Sequence, residues 1–420
     1  MYHQTLLPNG TRVVTAEMPH MASVAVGIWV GVGGRHEPAR ISGISHFIEH
    51  LLFKGTQRRT AAQISEAVEG VGGYLNAFTD EEHTCFYARA HADRWPDLVD
   101  VLTDMFLESR FDPTDIAKER TVILEELAMY QDQPAELVHD LLNETQFPRH
   151  PLGRPVIGSR ASLRRMQRPD FLGHLASHYT AEATLVAAAG NLCHEDLLRA
   201  VRRRARFFRP GGKPDFEPMD QAPAGPRVRL LTKDVEQTNL GLGMRAASRH
   251  DPRRHALRVL NVLLGENMSS RLFQVVREQH GLTYNVHSAL TAWADTGDIV
   301  ISAGLDSADL EKTLRLIVGE LNRLIAAPPG GPELRRAKDY LLGQFDLGLE
   351  GTENHMMWIG EQWLNHGSFT TPPEIRRHIA ALSAAQVCRA ARDFLGPEQR
   401  SLALVSHRTS DRGLARLLAG

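Results

Sequence analysis

Two histidines stand four apart, His46 and His50, and Glu49 directly precedes the second, within Gly43-Ile-Ser-His-Phe-Ile-Glu-His-Leu-Leu-Phe53. On an α-helix, positions i, i+3 and i+4 share one face, so the three side chains project together. Two imidazoles so placed offer one metal ion two nitrogen ligands, with a carboxylate beside them to move a proton. Phe47, Ile48, Leu51 and Leu52 supply the apolar surround of a buried helix. The pattern, H-x-x-E-H, is the reverse of the commoner H-E-x-x-H. A helix with two ordinary histidines reads the same way. The decision therefore falls on a third ligand, because a catalytic zinc site takes three protein ligands and keeps one position open.

A carboxylate from another helix is needed. Pro113-Thr-Asp-Ile-Ala-Lys-Glu-Arg-Thr-Val-Ile-Leu-Glu-Glu-Leu127 begins with capping options at Thr114 and Asp115 and then runs helical. Glu119 and Glu126 are two turns apart on one face. Glu125 projects elsewhere and is the rival ligand to Glu126.

These helices need a scaffold. Asn9-Gly10 signals a type I′ hairpin between two strands, and residues 22–34 read as a buried strand ending in a glycine turn. Residues 60–71 look helical until Gly72-Gly73, and 74–90 reads as strand, turn and strand around Thr79 to Glu82. Residues 91–108, 113–131 and 134–146 are helical by periodicity, and 183–190 is another buried strand. Arg209 to Pro226 is dense in proline and glycine, as a linker would be.

After that linker the chain begins again. Gly27-Ile28-Trp29 and Arg35-His36-Glu37-Pro38 are matched by Gly241-Leu242-Gly243 and Arg249-His250-Asp251-Pro252, at a constant offset of 214 residues. Met166, Asp170 and Phe171 resemble Leu382, Gln386 and Val387, and the strand at 183–189 resembles 400–406. The chain therefore reads as two copies of one α+β domain, 1–208 and 227–420, joined by 209–226. At the same offset His46, Glu49 and His50 become Leu260, Leu263 and Leu264, so only the first copy has metal-binding groups.

Composition narrows the function classes. The 420 residues are 42% hydrophobic and 23% charged, with a net charge of −2, which argues against a general nucleic-acid or membrane-surface binder. The basic run Arg199, Arg202, Arg203, Arg204 and Arg206 reads as a solvated helix end. Three dispersed cysteines, Cys85, Cys193 and Cys388, form neither a disulfide framework nor a cysteine zinc site and fit a reducing compartment. No apolar run reaches the length of a membrane span. The N-terminus shows no signal-peptide pattern, so a bacterial-type cytoplasmic location is expected.

With these residues in view, the sequence resembles the M16 zinc metallopeptidases, the inverzincins. It is most similar to the short-chain branch that includes mitochondrial processing peptidase β subunits and bacterial relatives. The family pairs H-x-x-E-H with a downstream E-R-x-V-[IV]-x-x-E, which Glu119-Arg-Thr-Val-Ile-Leu-Glu-Glu126 fits, and the likeness spans essentially the whole chain. The resemblance implies one Zn²⁺ per chain on His46, His50 and Glu126, with Glu49 as general base and Glu119 supporting the site. It implies a zinc-dependent endopeptidase that hydrolyses peptides or unfolded segments inside an enclosed chamber, by Glu-assisted attack of zinc-bound water. The alternatives are a specific precursor or presequence processing peptidase, or an inactive core or scaffold subunit.

Leu75-Asn76-Ala77-Phe78-Thr79 resembles the family's edge strand, to which substrate peptide adds through main-chain hydrogen bonds. Asn76, Ala77 and Phe78 are the implied contacts, with a plain strand-end asparagine as the other reading of Asn76. His83 reads as a structural histidine, with a fourth ligand as the alternative. In the second copy, Arg277 and Tyr284 match the spacing of the family's arginine–tyrosine element, which contacts the bound peptide and its polarised carbonyl. Gly265-Glu266-Asn267-Met268 stands where the mitochondrial α subunit has a glycine-rich loop, and it is not glycine-rich. Family members enclose substrate with four such domains. This chain has two, half of a clamshell, so the resemblance implies a homodimer, or a heterodimer with an inactive homologue.

Overall fold

A computed structural model describes the chain except Arg206, Phe207, Gln221, Pro223 and Ala224. Arg206 of the basic run and three residues of the 209–226 linker thus lie outside the described residues. Two compact units emerge. One comprises Met1–Ala128, Arg154–Glu217 and Asp346–Phe369; the other comprises Met129–Gly153, Pro218–Phe345 and Thr370–Gly420.

The first unit is built on a six-stranded sheet. Its strands are β1 (Tyr2–Leu6), β2 (Arg12–Glu17), β3 (Ser23–Val30), β4 (Tyr74–Thr79), β5 (Thr84–His91) and β6 (Thr184–Gly190), in the spatial order β1-β2-β6-β3-β5-β4. All neighbours are antiparallel except β2 and β6. β3 and β6 are central and buried on both faces, which is why both read as unbroken apolar runs. Helices α1 (Ile44–Leu52), α2 (Ala61–Glu69), α3 (Trp95–Glu108) and α4 (Pro113–Gln131) contribute to the core on one face, with Phe47, Ile48, Leu51 and Leu52 inside it. Each such large apolar side chain contributes roughly 1.5–3 kcal/mol by leaving water.

The other face of this sheet is covered by Thr352–His366, a helix from the far end of the chain. Trp29 is fully buried there beside Met356 and Ile359. A Cβ on Gly360 would lie 2.6 Å from the Trp29 ring, so that glycine admits the indole.

The second unit repeats the plan. Its sheet joins β7 (Arg227–Thr232), β8 (Thr238–Ala246), β9 (Thr283–Ala292), β10 (Gly297–Leu305) and β11 (Arg400–Ser406), in the order β7-β11-β8-β10-β9, with one parallel pair, β7 and β11. Here α5 (Pro134–Gln146) covers one face through Val138, Leu141 and Leu142. The repeated glycines do the same work in both units. A Cβ on Gly27 would meet Met356 Sδ at 2.7 Å, and one on Gly241 would meet Leu142 at 3.3 Å. The fold is α+β with two mixed sheets, each mostly antiparallel and packed with helices.

The first hairpin departs from expectation in its turn. Leu7 to Thr11 separate the strands, the Gly10 N–H bonds to the Leu7 carbonyl, and only Gly10 takes a positive φ, +95°. A type I′ turn centred on Asn9-Gly10 needs positive φ at both residues. Pro8 shifts the turn back by one residue, because its fixed negative φ suits the first central position of an ordinary turn.

The basic run is partly neutralised within its own unit: Arg199 pairs with Asp196, and Arg204 with Asp100. Among the described residues no helix is long and apolar enough to cross a membrane.

Candidate active site

α1 buries Ile44, Phe47, Ile48, Leu51 and Leu52 and turns His46, Glu49 and His50 to its other side. α4 lies opposite, anchored by buried Ile116, Ile123 and Leu127. Its Glu126 oxygens stand 3.8 Å from His46 Nε2 and 3.6 Å from His50 Nε2. One ligand atom from each of the three residues fits within 4.8 Å of the others, and no further group of this kind occurs among the described residues. Glu125, the rival on the same helix, is exposed.

The imidazoles are set up to offer nitrogen lone pairs. His50 Nδ1 lies 3.2 Å from Glu119 Oε2, and Lys54 Nζ lies 2.9 Å from the other Glu119 oxygen. The tautomer that lets Nδ1 donate to Glu119 leaves Nε2 unprotonated toward Glu126. Burial, assisted by His50, lowers the His46 pKa to about 4, so its ring is neutral at ordinary pH. Burial raises the Glu126 pKa, against the pull of His50.

These donors fit a cation such as Zn²⁺. A tetrahedral ion with bonds of about 2.0–2.2 Å separates its ligand atoms by roughly 3.3–3.6 Å. The observed nitrogen–oxygen separations are close to that span. The Glu119 contact is the outer hydrogen bond that metal-bound histidines ordinarily carry.

Glu49 lies beside the three and is tied to the sheet, with Oε2 accepting from Thr79 Oγ1 at 2.6 Å. Burial raises its pKa, opposed by Thr79 and His50 and reinforced by Glu126. Thr79 ends β4, which pairs only with β5 and so leaves one edge free among the described strands. On β4, Asn76 Nδ2 donates to the Tyr74 hydroxyl and Asn76 Oδ1 accepts from Ala77 N–H. Ala77 is buried, and Phe78 stands edge-on to Trp29. His83 is held elsewhere: its Nε2 meets Asp80 Oδ2 at 2.8 Å and its ring lies against Trp29 and Phe78. Burial alone would lower its pKa, but Asp80, helped by Glu361 and Glu81, raises it on balance.

In the second unit Leu260, Leu263 and Leu264 are buried in the core. The helix there widens to i→i+5 bonding at Val262–Glu266. Arg277 Cζ sits 5.0 Å from the Tyr284 ring centre and 4.6 Å from that of Phe273, a cation–π stack. The Tyr284 side is open, 84% exposed.

Residues 12–160 match the family described as insulinase (peptidase family M16), and 165–341 match the peptidase M16 inactive domain. An uncharacterized zinc protease of Mycobacterium tuberculosis is 39% identical over 96% of this chain and 93% of its own. The chain belongs to peptidase family M16. An uncharacterized zinc protease of Bacillus subtilis is 35% identical over 95% of this chain and 96% of its own. The crystal structure of a protease from Helicobacter pylori shares the fold with a TM-score of 0.90 at 20% identity, covering 97% of this chain and 99% of that one. The M16 segment that precedes the inactive domain contains all of His46, Glu49, His50, Glu119 and Glu126. The inactive-domain segment contains the three leucines that replace the histidines and glutamate.

Three participants escaped sequence reasoning in this M16 chain. Lys54 was within reach, four residues beyond His50 and just past the end of α1. Thr79 was visible as a strand residue but carried no sign of contact with Glu49. Glu37, which bonds the N–H groups of Gly43 and Ser45 at the start of α1, had no local signal.

Proposed function

We propose that this M16 peptidase is a zinc-dependent endopeptidase acting on peptides or unfolded segments. The observation that carries the reading is the convergence of His46, His50 and Glu126 beside a Glu49 tethered to the free-edged strand β4. His46, His50 and Glu126 would hold the ion, which when bound supplies Lewis acidity toward the scissile carbonyl and makes water a better nucleophile near neutral pH. Glu49 accepts the proton of the attacking water and returns it to the leaving amine; its raised pKa suits both roles. Thr79 holds Glu49 toward the site, and Glu119 with Lys54 holds His50. A substrate strand adds to β4 through main-chain hydrogen bonds near Asn76, Ala77 and Phe78, which gives affinity with little sequence preference.

Arg277 and Tyr284 complete the chemistry in this proposal, as guanidinium and phenol donors to the developing oxyanion. We assign them to the site of a partner copy in a homodimer that encloses a chamber. The metal-bearing copy 1–208 of one chain then works with the metal-free copy 227–420 of the other. The exposed phenol of Tyr284 supports this, since it has a free hydroxyl to offer.

A peptide-library digest read by mass spectrometry tests the proposal. Cleavage that stops with a chelator and returns with zinc is expected; a zinc-loaded chain that cleaves nothing would overturn it.

A further inference from the structure

The helix that carries both histidines starts on a residue with no side chain to cap it. Gly43 is the N-cap of α1, with φ +93°. A Cβ there would lie 2.5 Å from the Ile157 carbonyl oxygen, and one on Gly158, φ +85°, would lie 2.3 Å from the Ser42 oxygen. Two chain segments meet backbone to backbone where the helix begins. The first-turn N–H groups still require acceptors, since they are buried.

The acceptor comes from outside the helix. Glu37 Oε2 accepts from Gly43 N–H at 2.6 Å, and Oε1 accepts from Ser45 N–H at 2.8 Å. Glu37 is 3% exposed. The Arg154 guanidinium donates to the Glu37 main-chain carbonyl, which fixes the backbone that carries the carboxylate. A carboxylate here also meets the positive end of the helix dipole. One planar group bonded to two amides of a first turn sets that turn's rotation and height. His46 is the next residue after Ser45, and His50 follows one turn later on the same face.

The second copy offers an internal comparison. Asp251 occupies the position of Glu37 but acts locally. It accepts from Arg253 N–H two residues on, and its oxygens pair with the Arg253 guanidinium. The helix there begins at Arg254 and belongs to no three-residue metal-binding group among the described residues. The long-reach clamp belongs to the copy whose helix must aim two imidazoles.

We propose that Glu37 is a positioning residue of the metal centre, whose carboxylate clamps the start of α1 and thereby sets His46 and His50 against Glu126. This rests on the reading of α1 as the metal-binding helix. The test uses the full chain with Glu37→Gln, which keeps the size and one acceptor oxygen but turns an amide NH₂ toward one of the two N–H groups. Burial pushes the Glu37 carboxyl up to about 7, against the pull of the Ser45 and Gly43 amides, so measurements are made above that pH.

In a folded Glu37→Gln chain we expect zinc affinity, read by competition with a chromophoric chelator, to fall roughly tenfold or more. Turnover should fall with KM nearly constant, and Asp251→Asn should leave zinc affinity unchanged. A folded Glu37→Gln chain with native zinc affinity would overturn the proposal. Should that variant fail to fold, hydrogen exchange on the native zinc-free chain decides. Gly43 and Ser45 amides protected like those inside α1 support the clamp, and exchange at loop rates overturns it. A native chain that binds no zinc at all would instead sink the functional reading beneath.

Discussion

Thr79, at the end of the edge strand β4, donates a 2.6 Å hydrogen bond to Glu49 on α1. One contact joins the candidate base to the strand proposed to receive substrate. The bond favours the ionised carboxylate, so it opposes the burial that raises the Glu49 pKa. Removing it with Thr79→Val should raise that pKa further. Because the base must be ionised to act, the acid limb of the kcat/KM profile should then move to higher pH. Glu49→Gln should retain zinc and lose on the order of 10²–10⁴ in kcat. An unmoved acid limb in Thr79→Val, or near-native turnover in Glu49→Gln, would remove Glu49 from the mechanism.

Glu119 touches His50 from the side away from Glu126 and is itself held by Lys54. Glu119→Gln should weaken zinc binding by about 10–100-fold, as loss of an outer hydrogen bond to a metal-bound histidine does. Lys54→Met should act in the same direction through Glu119. Chelator competition on both variants gives the answer, and native affinity in both would leave Glu119 without a role at the metal centre.

The proposed composite dimer can be tested with mixtures. Chains carrying Glu49→Gln and chains carrying Tyr284→Phe should each be impaired, the second more in kcat than in KM. Refolded together, they should regain activity toward roughly a quarter of native, because each mixed dimer rebuilds one intact site. No gain on mixing, with mixed dimers present by native mass spectrometry, would place both residues in the site of a single chain.

His174 makes a separate prediction about acid stability. Its ring is buried and stacked on His178 at 4.1 Å between centres, and among the described residues neither ring nitrogen has a hydrogen-bond partner. Burial, with His178 and His36 nearby, lowers its pKa to about 3. A histidine held neutral in the fold but free to charge when unfolded contributes stability above its ordinary pKa near 6.5 that is lost as pH falls toward 3. By pH 5 this loss is about 2 kcal/mol. His174→Leu should flatten that part of the urea-midpoint profile and cost little at neutral pH. A profile parallel to native would contradict the assignment.

The helices were the most legible part of the sequence, because apolar periodicity and local stop signals act within one segment. Pro113–Gln131 and Pro134–Gln146 match the expected spans. What the sequence concealed is mostly long-range. Nothing local to Thr352–His366 says that it covers the first sheet, or that α5 covers the second; each needs a partner strand from the other half of the chain. At the hairpin turn the Asn9-Gly10 signal yields to Pro8, which sets the turn one residue earlier. Within the site, i, i+4 spacing on α1 and the glutamate phase on α4 were readable because helical geometry fixes them. Glu37 and Thr79 reach α1 through space, from segments whose own patterns are indifferent to it.

The central claim is a zinc ion held by α1 and α4. Crystals of the purified chain, measured on both sides of the zinc absorption edge, test it most directly. One anomalous peak per chain is expected, bounded by Nε2 of His46, Nε2 of His50 and a carboxylate oxygen of Glu126. A zinc-supplemented crystal with no peak there, and with the Glu126 carboxylate turned away from both rings, would contradict it.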